Sequence, residues 1–362
     1  MRFGGKILVE GNGPAGALNA GFSRGRRSCV TPVGLCHTFF TIISSTTTMS
    51  GVALRRYAVA LQYHGSPFLG FSYQHDQEDA IQADGKTNLR GYHSVEGRLR
   101  RALSEMVGED GWQNLQVSSR TDRGVHALHN TLHVDLSSSH AWDCHQLQNG
   151  LNFYLRRQFA TYTAGHVLVD QSFVRRSPMN ELRILNVRVA PEWMENPYPN
   201  QPDRVPWNAR FSATERTYAY RLRLGEGCDP WEWDRSWKIP QELNLDAMRE
   251  AAGDLVGTHD FSAFRAARCQ RETPITTLHE VRVEHEPETL LGSTNIVTLW
   301  FRGDSFLYRQ VRNMVGGLVE VGRGRLDSLK EILEGRNRRW APSTAPAYGL
   351  FLVKVKHGDF TL

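Results

Sequence analysis

The spacing of apolar side chains predicts β-strands from about residue 55 onwards. Every second position from residue 57 to residue 63 is apolar or aromatic, which is the period of a strand with one buried face. The same alternation lies on both sides of the segment 118–125. Its apolar positions are Leu115 and Val117 before the segment, and Leu132, Val134 and Leu136 after it. The segment 118–125 is therefore predicted to be a loop between two strands.

A spacing of three and four residues predicts a helix between the first strands. Ser94 can cap its N-terminus, and Gly108 can end it. The predicted inner face consists of Val95, Leu99, Leu103 and Met106.

The second part of the chain repeats this plan of strands and helices. Strands are predicted near 218–224, 277–284 and 296–302, and through Phe351, Val353 and Val355. In the first of these, Tyr218, Tyr220 and Leu222 alternate with Ala219, Arg221 and Arg223, which predicts a single buried face. Helices are predicted on Met248, Ala252 and Leu255; on Leu307, Val311, Met314, Val315 and Leu318; and on Leu326, Leu329, Ile332 and Leu333. A proline-rich connection, which we expect to be irregular, contains Pro191, Pro197, Pro199, Pro202 and Pro206.

Strands in series with helices between them indicate an α+β fold whose helices cover one face of a sheet. A chain of 362 residues is too long for one ordinary core and suits two halves. We predict an N-terminal half at 51–206 and a C-terminal half at 207–362, preceded by a leader at 1–50.

Composition separates the leader from the rest of the chain. It is rich in glycine, serine and threonine, and its five basic residues against Glu10 contribute +4 of the net charge of +5. This composition is typical of a mitochondrial transit peptide. The alternative is a gene start placed too far upstream, with translation beginning at Met49. Both alternatives predict a segment that is disordered in the mature protein or absent from it.

The remaining net charge of +1 does not by itself indicate a nucleic-acid-binding protein. The arginines are clustered, however, which suggests a polarised surface with one positive cleft. The clusters are Arg98, Arg100 and Arg101; Arg175 and Arg176; Arg265, Arg268 and Arg271; Arg309 and Arg312; and Arg336, Arg338 and Arg339. No apolar run approaches the about 18 residues that span a membrane. Five scattered cysteines without a C-x-x-C pair argue against a disulfide framework or a zinc site, and favour a reducing compartment.

The predicted loop at 118–125 carries the strongest candidate chemistry. Arg120, Asp122 and Arg123 stand within four positions and are followed by Gly124, which gives a tight loop its backbone freedom. A carboxylate between guanidiniums is held ionised, as a nucleophile or a base must be. The same residues in the same order could also form a surface ion pair that caps a turn. The neighbouring His126 is expected to be structural.

Five ordered stretches, between about residues 55 and 356, resemble the motifs of the TruA-type tRNA pseudouridine synthase family. They are Tyr63 to Ser66, Ser118 to Leu128, Phe211 to Tyr220, Gly257 to Phe264 with Thr273-Pro274 downstream, and Phe306 to Gly316. The residues in these motifs most resemble those of a small animal branch of the family, which includes a mitochondrial pseudouridine synthase-like protein. With all five present, the reading of Asp122 as a mere surface ion pair is disfavoured.

The resemblance implies the pseudouridine synthase fold, in which two ferredoxin-like halves join into one mixed, mainly antiparallel sheet with a central RNA-binding cleft. It implies an isomerase that breaks the bond from uracil N1 to ribose, turns the base over and rejoins it through C5. No redox change or group donor is needed, so no cofactor and no metal are expected. The implied partner is tRNA, at uridines of the anticodon stem-loop just after the anticodon.

Four site residues follow from the matching motif positions. Asp122 is the expected nucleophile, and Arg312 is the arginine expected to pair with it. Tyr218 is expected to stack on the flipped uracil, and Arg120 to fill the vacated stack or bind a flanking phosphate. Arg309, placed on the same predicted helix as Arg312 and about 60° away from it, is expected to have at most a phosphate role.

This sequence departs from the family pattern in two regions. Arg123 stands where alanine is usual, and its long side chain could reach a phosphate. Residues 70–74 differ from a segment that usually contacts tRNA, which leaves the choice of substrate open. Residues 74–93 look like an insertion that forms a surface loop.

Two other functions stay open on the sequence. One is an RNA-binding or chaperone protein without catalysis, although the intact set of Asp122, Tyr218 and Arg312 argues against it. The other is a synthase that acts mainly on messenger or other mitochondrial RNA. The protein could be a monomer or a homodimer, and the leader favours the mitochondrion over the cytoplasm or the nucleus.

Overall fold

A computed structural model of the chain describes residues 53–73, 94–138, 142–166, 181–195, 204–226, 230–288 and 294–362. The predicted leader at 1–50, the predicted insertion at 74–93 and the cluster of Arg175 and Arg176 lie outside these residues. The strands are β1 (Leu54–Tyr63), β2 (Trp112–Val117), β3 (His126–Ser137), β4 (Leu182–Val189), β5 (Trp193–Glu195), β6 (Arg204–Pro206), β7 (Glu215–Leu224), β8 (Trp237–Ile239), β9 (Gly257–Asp260), β10 (Ile275–Glu288), β11 (Thr294–Gly303) and β12 (Leu350–Lys356). The helices are α1 (Val95–Val107), α2 (Cys144–His166), α3 (Leu245–Gly253), α4 (Gln310–Gly322) and α5 (Lys330–Gly335).

The described strands build one large sheet of ten strands and a separate two-stranded ribbon. The order in the large sheet is β4-β1-β3-β12-β7-β11-β10-β9, with β2 on β3 and β8 on β7. All its pairs are antiparallel except β3 with β12 and β7 with β8. The predicted α+β fold with a mixed, mainly antiparallel sheet is therefore confirmed.

A short parallel contact at the centre of the sheet joins strands from the two predicted halves. Phe351 pairs with His126, and Leu352 pairs with Ala127. His126 is the first residue of β3, so the contact lies directly after the loop 118–125. The loop that carries Asp122 therefore stands where the two sets of strands meet.

The predicted caps and apolar faces account for helix α1. The Ser94 hydroxyl accepts a hydrogen bond from the Gly97 backbone N–H at 3.0 Å, and Gly108 ends the helix with a φ of 83°. Val95, Leu99 and Leu103 are buried as predicted, and Met106 is partly buried against the same core. No helix of the described residues is both long enough and apolar enough to cross a membrane.

Helix α2 and strand β4 were not predicted. The helix has a buried row at a four-residue spacing, Leu147, Leu151 and Leu155, which the sequence does contain. Polar side chains of the helix bond to β4: Asn152 accepts a hydrogen bond from the Ile184 N–H and donates one to the Ile184 carbonyl, both at 2.9 Å. These bonds join residues far apart in the sequence, so the hydrophobic pattern does not reveal them.

Several local predictions are wrong. Leu255, Leu326 and Leu329 lie outside helices α3 and α5, to which they were assigned. The proline-rich connection is not irregular throughout, because its described parts include the paired strands β5 and β6; Pro197, Pro199 and Pro202 lie outside the described residues. Pro206 lies at the end of this two-stranded ribbon, where its missing N–H breaks no ladder. Strand β7 has no simple exposed face, since Ala219 and Arg223 are buried. Helix α4 begins at Gln310, because Arg309 adopts a left-handed backbone with a φ of 60°, which leaves Leu307 outside the helix.

Candidate active site

The loop 118–125 holds Asp122 in a tight turn. The Val125 N–H donates to the Asp122 carbonyl at 3.1 Å, and Gly124 has a φ of 80°, in the left-handed region that favours glycine. The Thr121 carbonyl accepts a hydrogen bond from the Phe71 N–H at 3.0 Å. Gly70 passes so close that a Cβ at this position would lie 3.1 Å from the Thr121 carbonyl oxygen. Neighbouring backbone therefore fixes the loop on both sides of the aspartate.

Arg312 binds the Asp122 carboxylate from helix α4. Its Nη1 donates to Asp122 Oδ2 at 2.8 Å, and its Nε donates to the Ala345 carbonyl at 2.8 Å. The Ala345 N–H donates in return to the Arg312 carbonyl at 3.1 Å. The Arg312 side chain is only 12% exposed and that of Asp122 only 18%, so little water screens the pair. The guanidinium is thus anchored on one edge and presents its other edge to the carboxylate.

Gly316 allows the Ala345 segment to approach helix α4. A Cβ on Gly316 would overlap the Ser343 carbonyl oxygen. Arg338 holds the same segment through hydrogen bonds from its guanidinium to the Ala341 and Pro342 carbonyls, at 2.8 and 3.1 Å. This close approach places the carbonyl that anchors Arg312.

Arg309 also faces the aspartate, which differs from the prediction of at most a phosphate role. Its Nε lies 3.9 Å from Asp122 Oδ2. Its left-handed backbone separates it from the helix that carries Arg312, so the angular argument for two residues on one helix does not apply. The Arg309 guanidinium also lies 5.0 Å from the centre of the Tyr308 ring. With 43% of its side chain exposed, Arg309 is accessible to a ligand as well as to Asp122.

Tyr218 is almost fully buried on β7 and borders the space beside Asp122. Its hydroxyl lies 2.7 Å from the Ser119 hydroxyl, and its ring meets the Phe306 ring edge-on at 5.0 Å. Burial raises the pKa of Tyr218, so the phenol is neutral at physiological pH. A neutral ring held by an aromatic contact and by its hydroxyl is suited to stacking.

A buried polar network lies under the loop and was missed by the sequence analysis. The hydroxyls of Tyr63 and Thr121 lie 2.8 Å apart, and Asn130 donates to the Ser119 carbonyl at 2.9 Å. Burial raises the pKa of Tyr63. The sequence did contain one indication of this network, because Tyr63 is the first residue of the first quoted motif. In the structure its hydroxyl connects that motif to the aspartate loop.

His126 has the interior position expected of a structural residue. Its Nδ1 accepts a hydrogen bond from the Gly65 N–H at 3.0 Å, and its Nε2 lies 2.9 Å from the Tyr348 carbonyl. The ring stacks on Phe351 with centres 4.6 Å apart. Burial lowers the pKa of His126 to about 4, so it is neutral at pH 7. It connects three chain segments around the parallel strand contact.

Asp122 lies between two cavities of about 830 and 1590 Å³. All four predicted site residues line the smaller cavity: Arg120, Asp122, Tyr218 and Arg312. Arg120 is exposed and borders both cavities. The structure thus brings together residues from three separate parts of the sequence.

Arginine dominates the charge of the two cavities. Eight arginines and three aspartates line them, and the arginines are Arg120, Arg123, Arg210, Arg216, Arg268, Arg271, Arg309 and Arg312. Arg210 and Arg216 were not singled out from the sequence, although Arg216 belongs to a quoted motif. The expected positive cleft is therefore present around Asp122, and it suits a polyanionic ligand. Among the described residues, no group of three or more His, Cys, Asp or Glu side chains could hold a metal ion.

Known proteins are similar to this chain over most of its length. The sequence profile of the family described as tRNA pseudouridine synthase matches residues 251–357. The tRNA pseudouridine synthase A of Caulobacter vibrioides (strain NA1000 / CB15N) is 34% identical over 306 residues, which cover 84% of this chain and 99% of the relative. The tRNA pseudouridine synthase A of Brucella ovis is 31% identical over 304 residues, or 83% of this chain and 98% of the relative.

This chain belongs to the tRNA pseudouridine synthase A family. The TruA-type resemblance of the five motifs is thereby confirmed, and the family is one of isomerases. The mixed, mainly antiparallel sheet is consistent with the pseudouridine synthase fold. In this member of the tRNA pseudouridine synthase A family, Asp122 stands at the junction of the two strand sets, inside an arginine-lined cleft.

Proposed function

We propose that this chain isomerises uridine to pseudouridine in tRNA, with Asp122 as the nucleophile. The observation that carries the proposal is the ion pair of Asp122 with Arg312, where two arginine-lined cavities meet beside Tyr218. An ionised carboxylate held by an anchored guanidinium is positioned for attack. The surrounding positive charge suits an RNA backbone.

The reaction is balanced without any co-reactant. Asp122 forms a bond either to ribose C1′ or to uracil C6, and the bond from N1 to C1′ breaks. The freed base turns over, and C5 bonds to C1′. On the C1′ route the bond from Asp122 to C1′ breaks as C5 bonds to C1′, and on the C6 route the bond from Asp122 to C6 breaks afterwards. The C5 proton leaves, and N1 takes up a proton. No electrons are transferred and no group is donated, so we propose no cofactor.

The other site residues orient the reactants in this proposal. Arg312 holds the carboxylate, and Tyr218 stacks on the uracil that has left its helix. Arg120, exposed beside both cavities, occupies the gap left by the base or binds the flanking phosphate. The role of Arg312 is supported by its 2.8 Å ion pair with Asp122, and the role of Tyr218 by the contact of its ring with Phe306 in the cavity wall.

The proposed target lies in the anticodon stem-loop, just after the anticodon. Nucleotides in a loop or at the end of a stem are extruded at less cost than those inside a duplex. The Caulobacter and Brucella relatives are both tRNA pseudouridine synthases by name, which supports tRNA as the substrate class. Pseudouridine mapping across all RNA of cells that lack this protein would separate this target from messenger or other RNA.

The direct test measures loss of the C5 hydrogen. A stem-loop transcript labelled with tritium at C5 of uridine is incubated with the wild type, Asp122→Asn and Asp246→Asn. Asp246 is an exposed carboxylate on helix α3 and serves as the matched control. We expect tritium release by the wild type and by Asp246→Asn, and none by Asp122→Asn. Release by Asp122→Asn at the wild-type rate would remove Asp122 from the nucleophile role.

We further propose a mitochondrial location and a place in the animal mitochondrial branch of the family. The support for the location is the composition of residues 1–50, with five basic residues and one acid, and the support for the branch is the resemblance of the five motifs. Fusion of residues 1–48 to a reporter should direct it to mitochondria, and replacement of Arg24, Arg26 and Arg27 by glutamate should abolish the import. A diffuse wild-type reporter would favour translation from Met49 instead.

A further inference from the structure

A turn at residues 230–236 presents an exposed tryptophan at the larger cavity. Trp233 is 69% exposed and lines this cavity together with Arg123, Arg268 and Arg309. The site residues proposed above do not include it. An indole so exposed contributes little burial to the fold.

Buried neighbours on both sides hold Trp233 in place. Glu232 is buried and accepts a hydrogen bond from Arg221 at 2.7 Å. Asp234 is also buried, and its carboxylate lies 2.8 Å from His64 Nε2. The Ser236 hydroxyl closes the turn by donating to the Glu232 carbonyl at 3.0 Å. The backbone on each side of Trp233 is therefore fixed while its ring faces outward.

The same anchors connect this turn to the aspartate loop. The Asp234 carbonyl lies 3.0 Å from Nε2 of His126, the first residue after the loop. The larger cavity is lined by Trp233 and by Asp122, and the smaller cavity also reaches Asp122. A nucleotide chain with its target base at Asp122 would therefore place an adjoining nucleotide in the larger cavity.

We infer that Trp233 stacks on an unpaired nucleotide next to the target uridine, while Arg123 and Arg268 bind the adjoining phosphates. This inference rests on the proposed function. An exposed aromatic ring beside cationic side chains is the combination that binds single-stranded nucleic acid, since the ring accepts any base and the guanidiniums follow the backbone. A paired base is already stacked between its neighbours in the duplex, so the ring can stack only on an unpaired base. Recognition by Trp233 adds a preference for loops to the general attraction of the arginines.

The test compares RNA binding by four proteins, all with Asp122→Asn so that no turnover occurs. They are the parent, Trp233→Ala, Trp233→Phe and Trp231→Ala. Trp231 is a matched control, because it is 59% exposed in the same turn but borders neither cavity. Fluorescence anisotropy at one fixed salt concentration measures the affinity for a labelled hairpin with an unpaired loop and for a blunt duplex without one.

Trp233→Ala should weaken hairpin binding by about 5- to 150-fold, the range for loss of one stacked base, and leave duplex binding unchanged. Trp233→Phe should retain most of the hairpin affinity, which also shows that the turn still folds. Trp231→Ala should bind both RNAs like the parent. A 2-aminopurine in the hairpin loop should be quenched by the parent and not by Trp233→Ala.

Two results would overturn the inference. One is a Trp233→Ala protein that binds the hairpin as tightly as the parent or loses equal affinity for hairpin and duplex. The other is a dimer, seen by sedimentation velocity, that Trp233→Ala dissociates while hairpin binding is unchanged, because Trp233 would then contact a second copy of the chain. Failure of the proposed function would be seen separately, as absence of tritium release by the protein that retains Asp122.

Discussion

Arg312 and Asp122 form an ion pair at 2.8 Å although 190 positions separate them in the chain. The pair connects helix α4 to the loop before β3, and the carbonyl of Ala345 holds the opposite side of the guanidinium at 2.8 Å. Three segments therefore determine where one carboxylate stands. The predictions below test this arrangement from each side.

Asp122→Ala should abolish turnover and leave RNA affinity within about tenfold of the wild type. The covalent path is lost with the carboxylate, whereas the affinity comes mainly from phosphate contacts that the variant retains. The measurements are single-turnover pseudouridine formation and equilibrium binding of the same transcript. More than trace activity in the alanine variant would contradict the assignment.

Arg312→Leu should lower the single-turnover rate at saturating enzyme by about 100-fold, because the carboxylate loses its anchored partner and shifts. Arg309→Leu should lower this rate far less, since Arg309 lies at 3.9 Å and its exposed charge is screened by water. Its main effect should be weaker binding, with a salt dependence reduced by about one phosphate contact. Equal chemical rates for the two variants would remove Arg312 from its proposed role.

Tyr218→Phe should retain most of the single-turnover rate, and Tyr218→Ala should lose at least about tenfold. Phenylalanine keeps the ring and loses only the hydrogen bond to Ser119, which is worth about 0.5–1.5 kcal/mol. Alanine removes the stacking surface, worth about 1–3 kcal/mol per base. A phenylalanine variant as slow as the alanine variant would show that the hydroxyl, and not the ring, is what the reaction needs.

Gly316→Ala should lower the free energy of unfolding by about 1–3 kcal/mol and also slow turnover. The added Cβ overlaps the Ser343 carbonyl oxygen, so the segment that anchors Arg312 must move. Gly253→Ala on helix α3 is the matched control, because a Cβ there meets no atom within 4 Å. The control should be neutral or stabilised by up to about 1 kcal/mol. Urea denaturation of both variants, with m-values compared, measures the difference.

Acid should destabilise the protein between about pH 6.5 and pH 4 through buried histidines. Burial lowers the pKa of His126 and of His357 to about 4 each. Below pH 6.5 the unfolded chain binds protons that the native protein does not, so stability falls as the pH falls, by up to about 1.4 kcal/mol per pH unit for each histidine. The loss levels off below pH 4, where the native histidines are protonated as well.

His126→Asn tests this account, because asparagine cannot take up the proton. The variant should lose less stability than the wild type when the pH is lowered from 7 to 5, even if it is less stable at pH 7. Urea midpoints at the two pH values give the comparison. An equal loss in the two proteins would exclude His126 as a source of the acid sensitivity.

The sequence by itself determined part of the local structure and, through the family motifs, the identity of the key groups. Alternation at 57–63 and a cap at Ser94 are short-range signals, and strand β1 and helix α1 follow them closely. Gly124 and Gly316 stand where a positive φ and a close backbone approach require glycine. The five ordered motifs indicated the family and singled out Asp122, because motif residues can be matched directly in the amino-acid sequence. Hydrophobic periodicity depends only on residues close together in the sequence, so it can be recognised without knowledge of the fold.

Tertiary structure decided how the groups meet, although the family resemblance had already implied that Arg312 pairs with Asp122. The parallel contact of β3 with β12, the ion pair of Asp122 with Arg312, and the gathering of eight arginines around two cavities all join residues distant in sequence. The helical pattern placed Arg309 on the helix of Arg312, but its left-handed backbone turns it separately toward the aspartate. In the sequence Trp233 has no feature that separates it from other apolar residues. In the structure its neighbours Glu232 and Asp234 are buried while its ring is exposed. Charge and packing act through space, and the distances that set their strength exist only after the chain has folded.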